Sequence, residues 1–332
     1  MIVGEAALNP SGSARCGEGM AKVPESRPSR VSRGILTICA GVALLVLNDA
    51  IAKLLTANYD PIQIIFLRNL IAAPLIAFLA LLFHGHRGLI TRHLLLHTWR
   101  GILMVLSAYL YFTSLRFLPL AEATALIFAA PIFITALSVP LLGEAVGWRR
   151  WGAVILGFVG VLIVVQPGGA TFQAASLLPL ASAFVYALLM ISARWIHARE
   201  SLWTMMFFVV LFPLVYAAPF ALLVWVPVQA EDLWLFVVIA ICGSFGITLI
   251  GQAFRMAPAA VVAPFDYTAL LWATALGWLI WSETPLLSTI LGALVIMASG
   301  IIIVLREAAL EKQKRPSEGG RSPQPQIPKQ AE

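Results

Sequence analysis

The sequence predicts an all-α integral membrane protein whose ten transmembrane helices form two inverted repeats of five helices. Three observations support this fold class: the composition, the number of long apolar stretches, and an internal repeat. Hydrophobic residues make up 60% of the 332 residues and charged residues only 11%, whereas a soluble protein carries roughly 25% charged residues. The mean hydropathy is +0.91. A composition so poor in charge is typical of a membrane protein.

Ten apolar stretches have about the length that a helix needs to cross the hydrocarbon core, roughly 20 residues. Each is expected to be helical, because a bilayer offers no water to the backbone polar groups. The stretches are 34–57, 61–83, 99–118, 120–142, 150–166, 175–195, 202–226, 233–254, 258–281 and 286–305. Four of them contain prolines that predict kinks, since proline lacks an N–H donor: Pro74, Pro131, Pro213 and Pro264.

The internal repeat divides the chain into two halves. An arginine, a proline, a glutamate and two glycines recur at a near-constant spacing: Arg116, Pro119, Glu144, Gly152 and Gly160, then Arg255, Pro258, Glu283, Gly292 and Gly300. We therefore expect a first repeat over 34–167 and a second over 175–305, between disordered cytoplasmic tails at 1–33 and 306–332. Because each repeat has five helices, the second enters the membrane from the opposite side, which is a known arrangement for alternating access.

The distribution of Lys and Arg predicts the orientation. With the N-terminus in the cytoplasm, the tails and inner loops receive most basic residues, Arg149 and Arg150 among them, and the outer side receives Asp60, Glu231 and Asp232. This asymmetry places both termini of a multi-pass protein in the cytoplasm, with the helices in the cytoplasmic (inner) membrane. It also accounts for the net charge of +6, so no nucleic-acid partner is expected.

Three ionisable residues in the first two apolar stretches form the first candidate site. Asp49 and Lys53 are four residues apart and share a helix face, and Arg68 lies at a similar depth on the next stretch. Ionisable side chains inside membrane helices are costly, so each is a functional candidate. Arg68 is the strongest ligand for a carboxylate or phosphate. Two alternatives stay open: the three charges only hold two helices together, or Lys53 extends towards the interface.

Other polar residues are candidate lining groups of a substrate site. Tyr109 and Thr113, with Arg116, form a stripe on the third stretch, which lines a cavity or packs against another helix. The candidates on the second, sixth and ninth stretches are Asn69, Tyr186, Asp266 and Tyr267. A buried carboxylate is also a candidate proton carrier, so Asp49 and Asp266 are proton-coupling candidates.

The remaining features favour structural roles. Glu144 and Glu283 lie at turns, where each is expected to cap the following helix. The recurring glycines allow close helix approach, within the chain or in a homodimer. The sequence has no Gly-rich phosphate loop and no His-Glu-x-x-His segment, and its histidines lack acidic or cysteine partners. No enzymatic activity, cofactor or metal site is therefore expected.

Several segments carry a family resemblance: Asn48–Lys53, Phe66–Asn69, Tyr111–Gly143 with Glu144, Gly152–Gly160 and Arg255–Glu283. Through them the chain resembles the ten-helix, EamA-type members of the drug/metabolite transporter superfamily. The second half departs from the first at 207–211, which holds no counterpart of Arg68. The substrate site is therefore expected to be asymmetric.

The resemblance implies a secondary transporter that moves a small metabolite by alternating access. It implies amino-acid-like, nucleotide-like or vitamin substrates, among which Arg68 and Lys53 favour an anionic or zwitterionic molecule. The expected partners are the substrate and membrane lipids, and protons and a second copy of the chain are candidates. The alternative from another class is a membrane-embedded enzyme or lipid-handling protein that uses Asp49 and Asp266 as acid and base.

Overall fold

The computed structural model describes residues 27–91, 93–143, 147–167, 173–192, 195, 202–257 and 259–314. Within these ranges every regular element is a helix. The α-helices are α1 (Arg27–Leu55), α2 (Pro61–His84), α3 (Leu94–Ser114), α4 (Leu120–Ile127), α5 (Ala130–Leu142), α6 (Trp148–Val165), α7 (Leu177–Ser192), α8 (Leu202–Leu223), α9 (Leu233–Met256), α10 (Ala259–Val262), α11 (Ala269–Trp281) and α12 (Leu287–Lys314). Short 3-10 helices occupy the remaining regular segments, of which Ala263–Thr268 joins α10 to α11.

The helices confirm a multi-pass membrane protein. In the described ranges, eight spans are long and apolar enough to cross a bilayer, and Trp151–Val165 is a shorter apolar helix. Less than half of each span is buried inside the molecule. Leu, Ile, Val and Phe side chains cover much of the outer surface, where lipid would replace water as the solvent.

Helix ends follow from local chemistry in the sequence. At the start of α2, Asp60 Oδ1 accepts a hydrogen bond from the Ile62 N–H at 3.0 Å, and Pro61 occupies the first turn, as helix N-termini prefer. At the end of α5, Gly143 adopts a φ of 65°, which glycine allows without a steric cost. α1 begins at Arg27 and α12 ends at Lys314, so both extend beyond the expected boundaries at 34 and 305.

Two of the ten expected stretches are interrupted helices. The stretch 120–142 consists of α4 and α5, and the stretch 258–281 consists of α10, the 3-10 helix and α11. Pro131 lies in the first turn of α5 and Pro264 in the first turn of the 3-10 helix, where the missing N–H breaks the hydrogen-bond ladder. Pro74 and Pro213, also expected to cause kinks, lie inside continuous helices.

The bundle is held by four long helix pairs. α1 packs against α9, α3 against α7, α2 against α8, and α6 against α12. Leu55, Tyr59, Leu115, Leu118 and Leu120 are almost fully buried in the largest apolar core. They lie near the end of the bundle that carries the turn from α1 to α2, which we call the α1–α2 end. These residues of the core therefore stabilise the α1–α2 end.

The pair of α6 and α12 depends on two glycines that face each other. A Cβ atom on Gly160 would lie 3.0 Å from the carbonyl oxygen of Gly292 and 2.8 Å from Cγ1 of Ile296. The close approach expected from the recurring glycines is thus formed between two helices of one chain. Gly152, one of the same set, has no atom within 4 Å of its Cβ position.

We predict that Gly160→Ala destabilises the protein and that Gly152→Ala does not. The first substitution forces a methyl group against backbone atoms of α12 and should cost about 1–3 kcal/mol. The second adds the same methyl group to an exposed position of the same helix, where alanine is the better helix former by up to about 1 kcal/mol. Thermal unfolding of the purified variants in detergent measures the difference. Equal unfolding temperatures for the two variants would contradict the packing of α6 on α12.

Candidate functional site

A cavity of about 370 Å³ lies between the two halves of the chain. We call it the central cavity. α1 to α5 line it from the first half, and α7, α9 and the segment around Asp266 line it from the second half. Its charged and hydrogen-bonding groups include Asp49, Arg68, Tyr111, Thr124, Tyr186 and Asp266. Among the described residues, no group of three His, Cys, Asp or Glu side chains is arranged to hold a metal ion.

Arg68 presents an uncommitted guanidinium to the central cavity. Its Cζ atom lies 5.4 Å from the centroid of the Phe112 ring, a cation–π distance. The charge of Asp49 acts on Arg68, but no described side chain forms a hydrogen bond or a direct ion pair with the guanidinium. Five N–H donors in a planar fork are therefore available to a ligand.

Asp49, in contrast, is held by donors on both of its oxygens. The Asn48 side-chain amide donates to Oδ1 at 3.0 Å, and the Tyr111 hydroxyl donates to Oδ2 at 3.2 Å. Thr124 Oγ1 lies 3.5 Å from the same hydroxyl and donates to the Leu120 carbonyl. These contacts fix the carboxylate in place. Asp49 is thus held in a fixed position on the same cavity wall as Arg68.

Asp266 lies where the stretch 258–281 is interrupted, and its carboxylate faces the cavity. No described residue donates a hydrogen bond to it, although Tyr186 and Tyr267 interact with its charge. Tyr186 lines the cavity, whereas Tyr267 packs behind the Phe128 ring, with the centroids 4.8 Å apart. The Tyr267 hydroxyl occupies the space that a side chain on Gly300 would need. Asp266 is therefore the cavity acid that has no hydrogen-bond donor among the described residues.

Lys53 does not join the expected cluster with Asp49 and Arg68. Its ammonium forms an ion pair with Glu283 of the second half and donates to the Leu118 carbonyl at 2.8 Å. Lys53 does not line the central cavity. The flexible lysine side chain extends along α1 and places its ammonium towards the α1–α2 end. An extension of Lys53 in this direction was one of the two alternatives left open by the sequence.

Glu283 also differs from its expected role as the cap of the following helix. Besides pairing with Lys53, it accepts a hydrogen bond on Oε2 from the Leu120 N–H at 3.0 Å. Leu120 is the first residue of α4, so Glu283 caps a helix of the other half. The Trp281 ring lies 4.9 Å from the Lys53 ammonium. Glu144, its counterpart in the repeat, lies outside the described residues.

Three other candidates lie away from the central cavity. Asn69 lines a smaller neighbouring cavity and donates to the Ile65 carbonyl at 2.7 Å. Tyr109 lines a groove on the outer surface, and the Thr113 hydroxyl donates to the Tyr109 carbonyl at 2.6 Å. The polar stripe on α3 therefore does not line the central cavity.

Arg116, the last member of that stripe, belongs to a polar network at the α1–α2 end. It donates to the carbonyls of Thr56 at 3.0 Å and Tyr59 at 2.7 Å. The Tyr59 hydroxyl donates to Asp232 at 2.7 Å and accepts from the Gln229 N–H at 3.0 Å, and burial raises the pKa of Tyr59. The α8–α9 loop is thereby fastened over the α1–α2 turn.

Three polar residues of the cavity wall or the buried interior are not among the candidates predicted from the sequence. Asn48 and Tyr111 line the cavity and hold Asp49. Arg100, 4% exposed, donates to the Leu189 carbonyl at 2.9 Å and to Ser192 Oγ at 3.2 Å, so it caps the end of α7. A signal was present for Arg100, since it is a charge inside an apolar stretch. Neutral Asn48 and Tyr111 gave no such signal.

A helical membrane bundle with a polar cavity between its two halves is typical of transporters that bind solutes between two repeats. The model of the EamA-like transporter family matches the chain twice, over residues 32–166 and 173–305. The chain belongs to the EamA-like transporter family.

Relatives with named substrates agree with this class. An S-adenosylmethionine uptake transporter of Rickettsia prowazekii is 25% identical over 86% of this chain and 97% of its own length. A riboflavin transporter of Vibrio cholerae is 30% identical over 66% of this chain and 74% of its own. A pseudopaline exporter of Pseudomonas aeruginosa is 26% identical over 85% and 96%. The chain is therefore a secondary transporter of small metabolites.

A solved crystal structure shares the fold. It superposes with a TM-score of 0.55 and 21% sequence identity, and the match covers 86% of this chain and all of the other. At this identity the likeness supports the helical architecture alone.

Proposed function

We propose that the chain transports a zwitterionic metabolite of the amino-acid class by alternating access, with the central cavity as its binding site. One observation carries the proposal. A guanidinium of the first half and a carboxylate of the second half, Arg68 and Asp266, face the same cavity without a direct partner among the described residues. A ligand with both charges would satisfy both groups and connect the halves.

The charge balance of the cavity favours a zwitterion over a simple anion. Arg68 contributes one positive charge, whereas Asp49 and Asp266 contribute two negative charges. An anion without a cationic group would bring a third negative charge into a low-dielectric site, where like charges repel strongly. In this proposal Arg68 binds the substrate carboxylate bidentately, and the substrate cation faces the two carboxylates. Tyr186 contributes a polar part of the wall.

The relatives are compatible with this substrate class. S-Adenosylmethionine, named for the Rickettsia relative, carries an α-amino carboxylate and a sulfonium cation. Riboflavin, named for the Vibrio relative, carries neither charge at neutral pH. Arg68 and Asp266 therefore support the first chemistry more strongly than the second.

Asp266 is also the better proton carrier of the two cavity carboxylates in this proposal. Two donors already stabilise Asp49 in its charged form, whereas Asp266 has no donor among the described residues. A proton on Asp266 would replace the substrate cation and lower the cost of a buried, unpaired charge. Proton and substrate would then alternate on one carboxylate, which couples their movements.

The helix packing supports ten spans in two inverted repeats. The helices of the two halves correspond in order: α1, α2, α3 and α6 match α7, α8, α9 and α12. With this correspondence, the α1–α9 pair is equivalent to the α3–α7 pair. The α2–α8 and α6–α12 pairs each join two corresponding helices. The family model also matches once in each half. In this proposal both termini are cytoplasmic in the inner membrane, and the α1–α2 end faces outwards.

The contacts at the α1–α2 end support a state closed to the outside. The Lys53–Glu283 ion pair and the Tyr59 network cross from one half to the other beyond the cavity. For the cavity to open there, Lys53 and Glu283 must separate. We propose that this ion pair is the outer gate.

Arg68 and Asp266 can be tested by ligand-induced thermal stabilisation with amino acids, S-adenosylmethionine and riboflavin. We expect a zwitterion to stabilise the wild type. Arg68→Lys keeps the charge but loses the planar fork, so binding should weaken about ten- to a hundredfold, as expected for a charged hydrogen bond of about 1.5–3 kcal/mol. Stabilisation by riboflavin alone, unchanged in Arg68→Lys, would contradict the proposal.

Asp266→Asn tests the proton role in proteoliposomes. This variant should lose accumulation driven by a pH gradient, because the amide cannot release a proton. It should retain a weakened substrate exchange, because Asp49 still faces the substrate cation. Asp49→Asn should lose both, since Arg68 then lacks its fixed counter-charge. Normal gradient-driven accumulation in Asp266→Asn would exclude this residue as the proton carrier.

Glu283 variants test the outer gate. Glu283→Gln loses the ion pair but can still accept a hydrogen bond from the Leu120 N–H, whereas Glu283→Ala loses both the cap and the ion pair. The free energy of unfolding should therefore decrease by about 1–3 kcal/mol in Glu283→Gln, and by about the same amount again in Glu283→Ala. The gate itself is tested by labelling a single cysteine at Thr124 in the cavity, with the native cysteines replaced. This cysteine should react faster with an impermeant thiol reagent added outside in Glu283→Ala than in the protein that keeps Glu283. Glu231→Gln, at an exposed acid of the same end, is the control. Unchanged labelling in Glu283→Ala would refute the gate.

The orientation can be checked with two exposed positions at opposite ends of α2. A single cysteine at Asn58 should react with an impermeant reagent in intact cells, and one at His86 only after lysis. Both side chains are exposed, so access to the reagent decides the outcome. The reverse pattern would place the termini outside.

A further inference from the structure

A smaller cavity adjoins the central cavity and shares part of its wall. It measures about 90 Å³ and lies among α1, α2, α3, α8 and α9. Five residues line both cavities, and the polar ones are Asn48 and Arg68. We call it the side cavity, and these two residues form its entrance from the central cavity.

Beyond this entrance the wall of the side cavity is mostly aliphatic. Asn69 and Ser244 are its other polar residues, and the apolar wall includes Ala72, Ile76, Met206, Val209, Val210 and Ala240. Water in a protein cavity needs two to four polar partners, and apolar cavities stay dry. The volume corresponds to about three groups of the size of a water molecule or a methylene, at about 30 Å³ each.

The entrance carries an acceptor without a donor as well as the uncommitted guanidinium. Asn48 is 4% exposed, and its side-chain oxygen has no hydrogen-bond partner among the described residues. Its amide nitrogen is used by Asp49. A buried acceptor without a partner is costly, so a ligand that brings an N–H group next to a carboxylate would satisfy both entrance residues.

We propose that the side cavity is the specificity pocket of the transporter and takes an unbranched apolar substituent of up to about three carbon atoms. This inference rests on the proposed function and names the substrate class more narrowly. The α-carbon of an amino acid carries two groups that the entrance binds and a third that fits the side cavity. Its carboxylate binds Arg68, its ammonium faces Asp49 and Asp266 and donates one hydrogen bond to the Asn48 oxygen, and its aliphatic side chain enters the side cavity.

A homologous series of amino acids tests the size of the pocket. Alanine, 2-aminobutyrate, norvaline and norleucine differ by one methylene each, and binding to the purified protein is measured by ligand-induced thermal shift. Each methylene that enters the pocket should tighten binding about fourfold, from about 0.8 kcal/mol per buried methylene. Affinity should increase up to norvaline, with three side-chain carbons, and decrease at norleucine.

Two substitutions in the wall should move this optimum in opposite directions. Met206→Ala enlarges the side cavity and should make norleucine the preferred ligand. Ala240→Val narrows it and should make 2-aminobutyrate or alanine the preferred ligand. Met205→Ala is the matched control, because Met205 is the preceding residue on α8, is partly buried, and lines neither cavity. It should keep norvaline as the preferred ligand.

The outcomes separate this inference from the proposed function. Equal affinity along the series, or the same optimum in Met206→Ala and Ala240→Val, would overturn the side cavity as a specificity pocket. If a zwitterion outside this series bound in an Arg68-dependent manner, the proposed function would stand while the inference failed. Absence of Arg68-dependent binding for every zwitterion would overturn both.

Discussion

The charge of Arg68 inside a membrane-spanning bundle is the constraint on which the central cavity depends. A guanidinium stays charged in any protein environment, so a counter-charge has to remain close. Asp49 supplies it, and its position is fixed by Asn48 and Tyr111 rather than by Arg68. The guanidinium thus has a counter-charge on the wall of the same cavity, but its N–H donors form no hydrogen bond with a described side chain. The cation is tolerated in the bundle and is still able to bind a ligand.

Interrupted helices determine where the second half contributes to the site. Asp266 lies in the 3-10 segment between α10 and α11, and the junction of α4 and α5 lines the cavity from the other side. An interrupted helix exposes backbone groups and turns side chains that a straight helix would direct elsewhere, which is common at the binding sites of transporters with inverted repeats. Among the described residues that line the cavity, the first half alone contributes an arginine. The two halves therefore contribute unlike chemistry to similar architecture.

Hydropathy, and the free-energy cost of an ionisable group inside an apolar stretch, explain which features the sequence could predict. The helices and the membrane class follow from long apolar stretches, and Asp49, Arg68 and Asp266 stand out because ionisable groups are rare inside them. The partner of Lys53 could not be predicted, since Glu283 lies on the other half and meets it only through tertiary packing. The orientation of the two faces of α3 could not be predicted either. Tyr109 and Tyr111 are two residues apart and face opposite directions, and a span that is apolar on most sides does not reveal which face is buried.

In the proposed outer gate, Glu283 gives the α1–α2 end a cooperative character. One of its oxygens neutralises Lys53 on α1, and the other caps the first turn of α4. When the second half moves away, the same displacement therefore leaves an unpaired ammonium and an uncapped helix terminus. Neither loss is recovered until water reaches both groups, so partly separated arrangements are higher in free energy than either the closed or the fully hydrated one. A single carboxylate thereby makes this end of the molecule behave as a two-state element.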